Sequence, residues 1–201
     1  MLIHPWDAAS DDDEWRAWLR TQQVGTLIAP GRGRAVPVVV PTHFAWDGSE
    51  VLLHLAWPNP ALRAVEEDPT VVFSVHGDWA YVPSAWKAVG DEDPTLGVPT
   101  SYYAAVTLVC EATVLEGEQL LEVLRAQLGA FEPGSAVADP VVHERRLPGI
   151  RGLRLAVRSA EAKFKYGGNV DAAHRSAVAA QLQARGDEGA LAQLLRRTPL
   201  A

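Results

Sequence analysis

Alternation of apolar and polar residues in the first half of the chain predicts short β-strands rather than long helices. Strand patterns cover residues 24–29, 35–46 and 50–56, with turn sequences at 30–34 and 47–49 between them. We therefore predict a three-strand meander, which favours an antiparallel sheet or barrel over parallel βαβ units. No glycine-rich loop follows a strand and opens a helix, so a Rossmann or P-loop nucleotide site is not expected.

Helical spacing replaces alternation in five places. Ser10 is a natural N-cap for a helix that we predict to reach about Gln23, with two tryptophans on its apolar face. The other predicted helices cover residues 60–67, 117–131, 171–185 and 188–197. Further strands are predicted at 70–75, 79–82, 102–115 and 150–160, and a turn is predicted at 76–78. We predict one domain over residues 1–201, in which residues 171–197 form a helical appendage.

The segment between the strands that end near Val82 and begin near Tyr102 is unusually informative. It contains several Pro and Gly residues and the acidic triplet 91–93. A loop of this length between two strong strands is usually functional or disordered. Aromatic residues such as Trp86 argue against disorder, because disordered segments are poor in them. We predict a loop that forms a ligand site or a subunit interface.

Composition and charge argue against a nucleic-acid-binding, a disulfide-bonded and a membrane-spanning protein. The chain carries a formal net charge of −7, and its basic residues concentrate locally between 145 and 165. Such a protein is a poor general nucleic-acid binder, and the basic stretch suits either an anionic cofactor or a solvated face. The single cysteine, Cys110, excludes an internal disulfide and fits a reducing cytoplasm. No apolar run approaches a membrane span and no signal peptide is evident, so a cytoplasmic protein is expected.

Four blocks, in order along most of the chain, carry a resemblance. They read Val39-Val40-Pro41-Thr42-His43-Phe44, then His54-Leu55-Ala56-Trp57-Pro58-Asn59-Pro60, then the stretch from Ala80 to Val106, then Lys163-Phe164-Lys165 with Asn169 and Ala173-His174-Arg175. Together they resemble the PaiB-like FMN-binding family, whose members are often labelled negative transcriptional regulators. That family belongs to the FMN-binding split-barrel group, which includes pyridoxamine-phosphate-oxidase-like flavoproteins.

The resemblance implies an α+β, mainly β fold: an antiparallel split β-barrel with peripheral helices and a helical C-terminus. It also implies a homodimer that binds FMN at the subunit interface. In this family an arginine commonly stands where this chain has Trp57. The matching positions are expected to bind the cofactor: Thr42, His43, His54, Ala56, Trp57, Asn59, Tyr81, Thr100, Ser101, Tyr102, Lys165 and Arg175.

Two functions follow as hypotheses. One is a flavin-dependent reductase or oxidase acting through FMN, with catalytic residues unknown. The other is a non-enzymatic regulatory or binding protein with a degenerate cofactor site. The family's regulatory label adds direct DNA binding as an expectation, although no basic recognition helix stands out.

The histidines leave a further alternative open. His43 and His54 lie on neighbouring predicted strands and could face a common ligand. No histidine spacing typical of a zinc site is present, so no metal is predicted. Strand histidines satisfied by hydrogen bonds are the preferred interpretation, and a two-histidine metal or haem site is the alternative.

Overall fold

The computed structural model describes residues 1–197, which form two compact units. A barrel unit consists of residues 15–75 and 107–161, and a helical unit consists of residues 1–14, 76–106 and the segment from residue 162. Each unit is assembled from separated segments, so no composition shift along the chain could mark a boundary between them. The single domain predicted for residues 1–201 stays a prediction.

Seven strands of the described residues form one sheet, and each contributes residues to the barrel unit. Their order in the sheet is the second, first, fifth, sixth, seventh, fourth and third along the chain. Every pair with a determined register is antiparallel. The strands are β1 (Val24–Ala29), β2 (Val38–His43), β3 (Ala45–Trp46), β4 (Glu50–Ala56), β5 (Thr70–Val82), β6 (Thr100–Leu115) and β7 (Ile150–Lys165).

The strand predicted at 35–46 is two strands, and they lie at opposite ends of the sheet order. Only Phe44 separates them, and its N–H donates to the Gln23 carbonyl at 3.1 Å while its ring packs on Phe73. Because one residue joins the two ends, the sheet must curl until these ends approach, as in a barrel with a gap. The predicted meander is therefore correct only in part: β1 pairs with β2 and β3 pairs with β4, but β2 and β4 are not neighbours, because the other partner of β4 is β7.

Residues 76–78, predicted to be a turn, lie inside β5. Asp78 adopts a left-handed backbone conformation with φ of 49°. Its carbonyl accepts a hydrogen bond from the Tyr166 hydroxyl at 3.0 Å, and its carboxylate accepts one from Gln193 Nε2 at 2.9 Å. These partners hold the irregular residue in place, so the chain continues as a strand instead of reversing.

The predicted helices are present, with small differences at their ends. The first stops at Leu19 and not near Gln23, because the N–H and the hydroxyl of Thr21 both bond to the Trp18 carbonyl. No helix among residues 1–197 combines the length and the apolar character that a bilayer span requires. The helices are α1 (Asp12–Leu19), α2 (Pro60–Glu67), α3 (Gly117–Phe131), α4 (Ala172–Arg185) and α5 (Glu188–Arg196), with 3₁₀ segments at Pro5–Asp7, Ser84–Lys87 and Pro140–Gly149.

The core of the barrel unit follows from the alternation of the strands. Inward residues of β4 are buried while their neighbours are partly exposed. Gly25 is required by close packing, because a Cβ there would lie 2.4 Å from the Phe73 ring. Cys110 is fully buried, and burial raises the pKa of its thiol to about 12, so its interpretation as a small core residue is confirmed.

Candidate functional site

A basic cavity of about 250 Å³ opens in the helical unit where β6 begins and β7 ends. These strands are neighbours in the sheet, so the first residue of one lies near the last residue of the other. As a result Lys165 Nζ donates a hydrogen bond to Thr100 Oγ1 at 2.8 Å. The cavity is lined by His4, Trp6, Asp7, Lys87, Thr100, Tyr102, Lys165, Gly167, Asn169 and Val170.

Two lysines share this basic cavity. Burial lowers the pKa of Lys87, and the charge of Lys165 lowers it further. Among the described residues neither ammonium forms an ion pair with a carboxylate. Holding two cations together costs free energy unless an anion offsets it. The basic cavity therefore has the charge that a phosphate group requires.

Asp7 is the acidic residue of the basic cavity. Its carboxylate lies 3.9 Å from Lys163 Nζ. Burial raises the pKa of Asp7, and the charges of Lys163 and Lys165 offset part of that rise. Asp7 therefore carries its negative charge less readily than an exposed carboxylate, which leaves the cavity net basic.

Tyr102 contributes an unpartnered hydroxyl to the basic cavity. Its side chain is only 1% exposed, and its hydroxyl finds no hydrogen-bond partner within residues 1–197. Gly167 makes room for it: the φ of this glycine is +69°, and a Cβ there would lie 2.4 Å from the hydroxyl oxygen. A buried polar atom without a partner favours a bound ligand at this point.

A larger cavity of about 620 Å³, also in the helical unit, shares four lining residues with the basic cavity: Lys87, Tyr102, Asn169 and Val170. Its remaining wall is apolar on one side, with Leu96, Val98 and Val178. Together the two cavities offer a charged compartment next to an apolar one, which is the division of chemistry that a flavin nucleotide has.

His174 closes the acidic side of the larger cavity. Its Nε2 lies 2.9 Å from a Glu92 oxygen and its Nδ1 lies 2.7 Å from an Asp171 oxygen. Hydrogen bonds to Glu92 and then Asp171 raise the pKa of the imidazole. Glu92 belongs to the long loop after β5, so this histidine fixes that loop to the start of α4.

Three other predicted site residues of the helical unit lie apart from these two cavities. Arg175 is buried and donates to the carbonyls of Gly167 and Leu194 at 3.1 and 2.7 Å, and also to the Arg197 carbonyl. Its guanidinium is thus occupied by backbone oxygens. Tyr81 is about half exposed, and Ser101 follows Thr100 on β6 without lining either cavity.

In the barrel unit, His43 and His54 lie side by side, as predicted, although β2 and β4 are not neighbours in the sheet. Their ring centroids are 5.1 Å apart in an edge-on arrangement. Both line a histidine cavity of about 490 Å³ between α3 and the segment that follows it. His54 Nδ1 lies 2.6 Å from Gln127 Oε1. Burial, and then the charge of His54, lowers the pKa of His43.

The remaining predicted residues of the barrel unit have varied surroundings. Thr42 pairs with Gly25 across β1 and β2, and its hydroxyl donates to the His43 carbonyl. Ala56 is the exposed last residue of β4. Asn59 caps α2, because its side-chain oxygen accepts from the Ala61 N–H at 3.0 Å.

Trp57 occupies the position at which the PaiB-like family commonly has an arginine, and the guanidinium of another residue, Arg151, lies beside it. Arg151 stacks over its indole ring with the guanidinium carbon 4.0 Å from the ring centroid. Arg151 also lies 2.6 Å from a Glu116 carboxylate oxygen. A cation is thus present at this position, although a different part of the chain supplies it.

Several cavity residues were not predicted. His4, Trp6 and Asp7 come from the N-terminal segment, and Lys87 comes from the long loop. Lys87 carried a signal, because it is the single basic residue between Pro83 and Pro99. The N-terminal residues carried no such signal, because their place in the cavity depends on contacts with Lys163, a residue distant in sequence: a β-bridge to Ala8, a hydrogen bond to the Leu2 carbonyl and an ion pair with Asp7.

Comparison with known sequences gives two similarities that cover most of the chain. A family model described as "Putative FMN-binding domain" matches residues 1–159. The protease synthase and sporulation protein PAI 2 of Bacillus subtilis (strain 168) is 26% identical over 191 residues, covering 91% of this chain and 89% of that protein.

Two solved structures resemble the fold. The FAD and heme binding protein from Mycobacterium smegmatis has a TM-score of 0.61 at 20% identity, covering 80% of this chain and 74% of that one. The flavocytochrome Anf3 from Azotobacter vinelandii also has a TM-score of 0.61 at 20% identity, covering 81% of this chain and 71% of that one. At these identities the likeness shows the fold alone, and it confirms the predicted split β-barrel.

Proposed function

The chain belongs to the FMN-binding domain family whose model matches residues 1–159, and on that premise we propose that its basic cavity binds the phosphate of FMN. One observation carries the proposal: Lys165 donates to Thr100 in a cavity that Lys87 also lines. A phosphate monoester carries close to two negative charges at neutral pH. Two ammonium groups, a hydroxyl and the Asn169 amide supply the donors that its oxygens require.

The flavin ring belongs in the larger cavity under this proposal. The four residues shared by the two cavities would lie between phosphate and ring, and Leu96, Val98 and Val178 would contact the ring. When bound, FMN supplies the redox chemistry, and the protein binds it, orients it and excludes water. The function supported best is a flavin-dependent oxidoreductase of the split-barrel class.

Comparing FMN with riboflavin tests the phosphate site directly, because the two differ only in that group. We expect the purified protein to bind FMN at least tenfold more tightly than riboflavin in a fluorescence-quenching titration. The preference should shrink as ionic strength rises, because salt screens the lysines. Equal affinity for the two flavins would exclude the basic cavity as a phosphate site.

We further propose that the protein is a homodimer. The exposed aromatic residues Trp79 and Tyr81 on β5 support this, because large apolar side chains of this kind are common at subunit interfaces. Size-exclusion chromatography with light scattering should give twice the 21.7 kDa chain mass. A monomer at tens of micromolar would contradict this part of the proposal.

A regulatory role, direct DNA binding and a cytoplasmic location complete the proposal. The first draws support from the similarity to the sporulation protein, and the last from the single buried cysteine. DNA binding has the least support, because the acidic residues Asp171 and Asp187 cap α4 and α5 and Glu188 lies in α5, so the arginines of these helices are not alone. A gel shift at two salt concentrations, with and without FMN, tests it: absence of a shift in all four conditions removes it.

A further inference from the structure

The histidine cavity of the barrel unit lies outside the proposed flavin site and has a lining of its own. Its volume of about 490 Å³ falls within the range of small-molecule and cofactor sites. Most of its lining is apolar, and three histidines, one glutamine, one glutamate and one arginine supply the polar groups. The apolar lining residues are Leu124, Leu128, Phe131, Val137, Ala138, Pro140, Leu147 and Ile150.

His54 is oriented in this cavity as a metal-ligating histidine is. Its Nδ1 contacts Gln127 Oε1 at 2.6 Å, and an amide oxygen can only accept, so Nδ1 carries the proton. Its Nε2 therefore keeps a lone pair. A hydrogen bond from the other ring nitrogen to a fixed acceptor is the usual support of a histidine ligand.

The other end of the Gln127 amide adds a second sign that the cavity binds a ligand. Gln127 is only 4% exposed, and its Nε2 finds no partner within residues 1–197. It lines the same cavity as His54. A buried amide donor without an acceptor is unfavourable, so a ligand with an acceptor atom or an electron-rich face would stabilise this arrangement.

We propose that this cavity binds an iron porphyrin, with His54 as an axial ligand to the iron. A porphyrin brings four nitrogen ligands of its own and needs only an imidazole from the protein. A bare metal ion would need more, and no group of three or more histidine, cysteine, aspartate or glutamate side chains among the described residues could hold one. The apolar lining offers nonpolar surface against which a macrocycle can pack.

The two neighbouring histidines have different roles in this proposal. Imidazoles on opposite sides of one iron would have centroids about 6 Å apart, given metal–nitrogen bonds near 2 Å. The centroids of His43 and His54 are closer, at 5.1 Å, so the geometry assigns one axial ligand. His43, whose ring also contacts Phe131 edge-on at 5.5 Å, packs beside the ligand.

Arg146 provides a partner for the carboxylates of the porphyrin. It lines the cavity from the 3₁₀ segment Pro140–Gly149, and within the described residues it forms no ion pair. A guanidinium there can bind a propionate in a bidentate manner. Glu132, the acidic lining residue, opposes this attraction in part.

Titration with hemin tests the proposal in the full-length protein. We expect one equivalent to bind with a shifted, sharpened Soret band, and resonance Raman spectroscopy to show an iron–histidine bond. His54→Gln should lose that bond and weaken hemin binding at least tenfold. The matched control His76→Gln removes an exposed histidine outside the cavity and should leave both unchanged.

Comparison with metal-free protoporphyrin separates coordination of the iron by His54 from hydrophobic binding of the macrocycle. It should bind more weakly than hemin, with the same affinity in the unaltered protein and in His54→Gln. Unchanged hemin affinity and spectrum in His54→Gln would overturn the proposal, as would equal affinity for the two porphyrins. If circular dichroism shows that His54→Gln does not fold, the test rests on the unaltered protein. Hemin that binds to it without an iron–histidine bond would refute the proposal.

Discussion

Lys165 shows how much one side chain contributes when a strand ends at a cavity. Replacing it with methionine keeps the aliphatic stem and removes the ammonium that bonds to Thr100. Hydrogen bonds to charged groups contribute about 1.5–3 kcal/mol, so we expect Lys165→Met to weaken FMN binding about 10- to 100-fold. Riboflavin affinity should change little, because riboflavin lacks the phosphate. Fluorescence titration with both ligands measures the two effects.

The control for this prediction is Arg158→Met. It also removes one positive charge from β7, where Arg158 is paired with Glu111 in the barrel unit. If both variants lose FMN affinity equally, net charge and not the Lys165 contact is responsible.

Arg175 is expected to stabilise the helical unit and not to bind flavin directly. Its buried guanidinium donates to several backbone carbonyls, and Arg175→Met leaves those oxygens without a donor. We expect a loss of about 3 kcal/mol in the free energy of unfolding, measured by urea denaturation. Arg175→Lys should lose less, because it retains one charged donor. A stable Arg175→Met variant with weak FMN binding would instead support a cofactor role.

At the scale of elements, Asn59 decides where α2 begins. It caps the helix, so Asn59→Ala should cost about 1 kcal/mol in stability while Asn59→Ser, which retains a capping oxygen, should cost much less. Thermal or urea unfolding of the two variants provides the comparison. Equal losses in both variants would show that the cap contributes little, and a drop in FMN affinity with the serine variant would indicate that the amide contacts the cofactor.

The loop between β5 and β6 should be fixed in a pH-dependent way through His174. The pKa of this imidazole is raised, so its contribution is fully present below about pH 6.5 and is lost as pH rises through the folded-state value. The pKa values of Glu92 and Asp171 are lowered, so their contributions are lost only in strong acid. Hydrogen exchange of residues 88–98 should therefore speed up between pH 6 and pH 9, beyond the intrinsic rate change.

His174→Gln is the reference for that pH series. It removes the titrating group while keeping hydrogen-bonding capacity, and its loop should show no such acceleration. The same pH profile in both proteins would mean that another group controls the loop.

At the scale of the whole molecule, we expect a single unfolding transition. The strands β5, β6 and β7 each contribute residues to both units, so neither unit can lose its strands without breaking those of the other. Circular dichroism and tryptophan fluorescence should give coincident urea curves, since tryptophans occur in both units. Two separated transitions would instead identify two independently folding domains.

An antiparallel sheet or barrel and most element bounds could be read from the chain, because both depend on local periodicity and on capping residues, whereas the split barrel itself was implied by the family resemblance. Residues 117–131 and 50–56 show this, since their predicted ends are the observed ones. The division at Phe44 could not be read, because it depends on the contact of that ring with Phe73, a residue distant in sequence. The turn predicted at 76–78 failed for a similar reason: its strand conformation depends on Tyr166 and Gln193.

The sequence by itself determined the type of most helices and strands and offered a set of polar residues suited to an anionic aromatic cofactor, while the family came from its resemblance to known proteins. These properties follow from spacing and residue type, which act over a few positions. Only the tertiary structure decided how those residues divide. In the helical unit, Lys165 bonds to Thr100 and lines one cavity with Lys87, while Arg175 donates to backbone carbonyls. In the barrel unit, His54 bonds to Gln127. Such pairings depend on strand order and on cavities between distant segments, which no local pattern encodes.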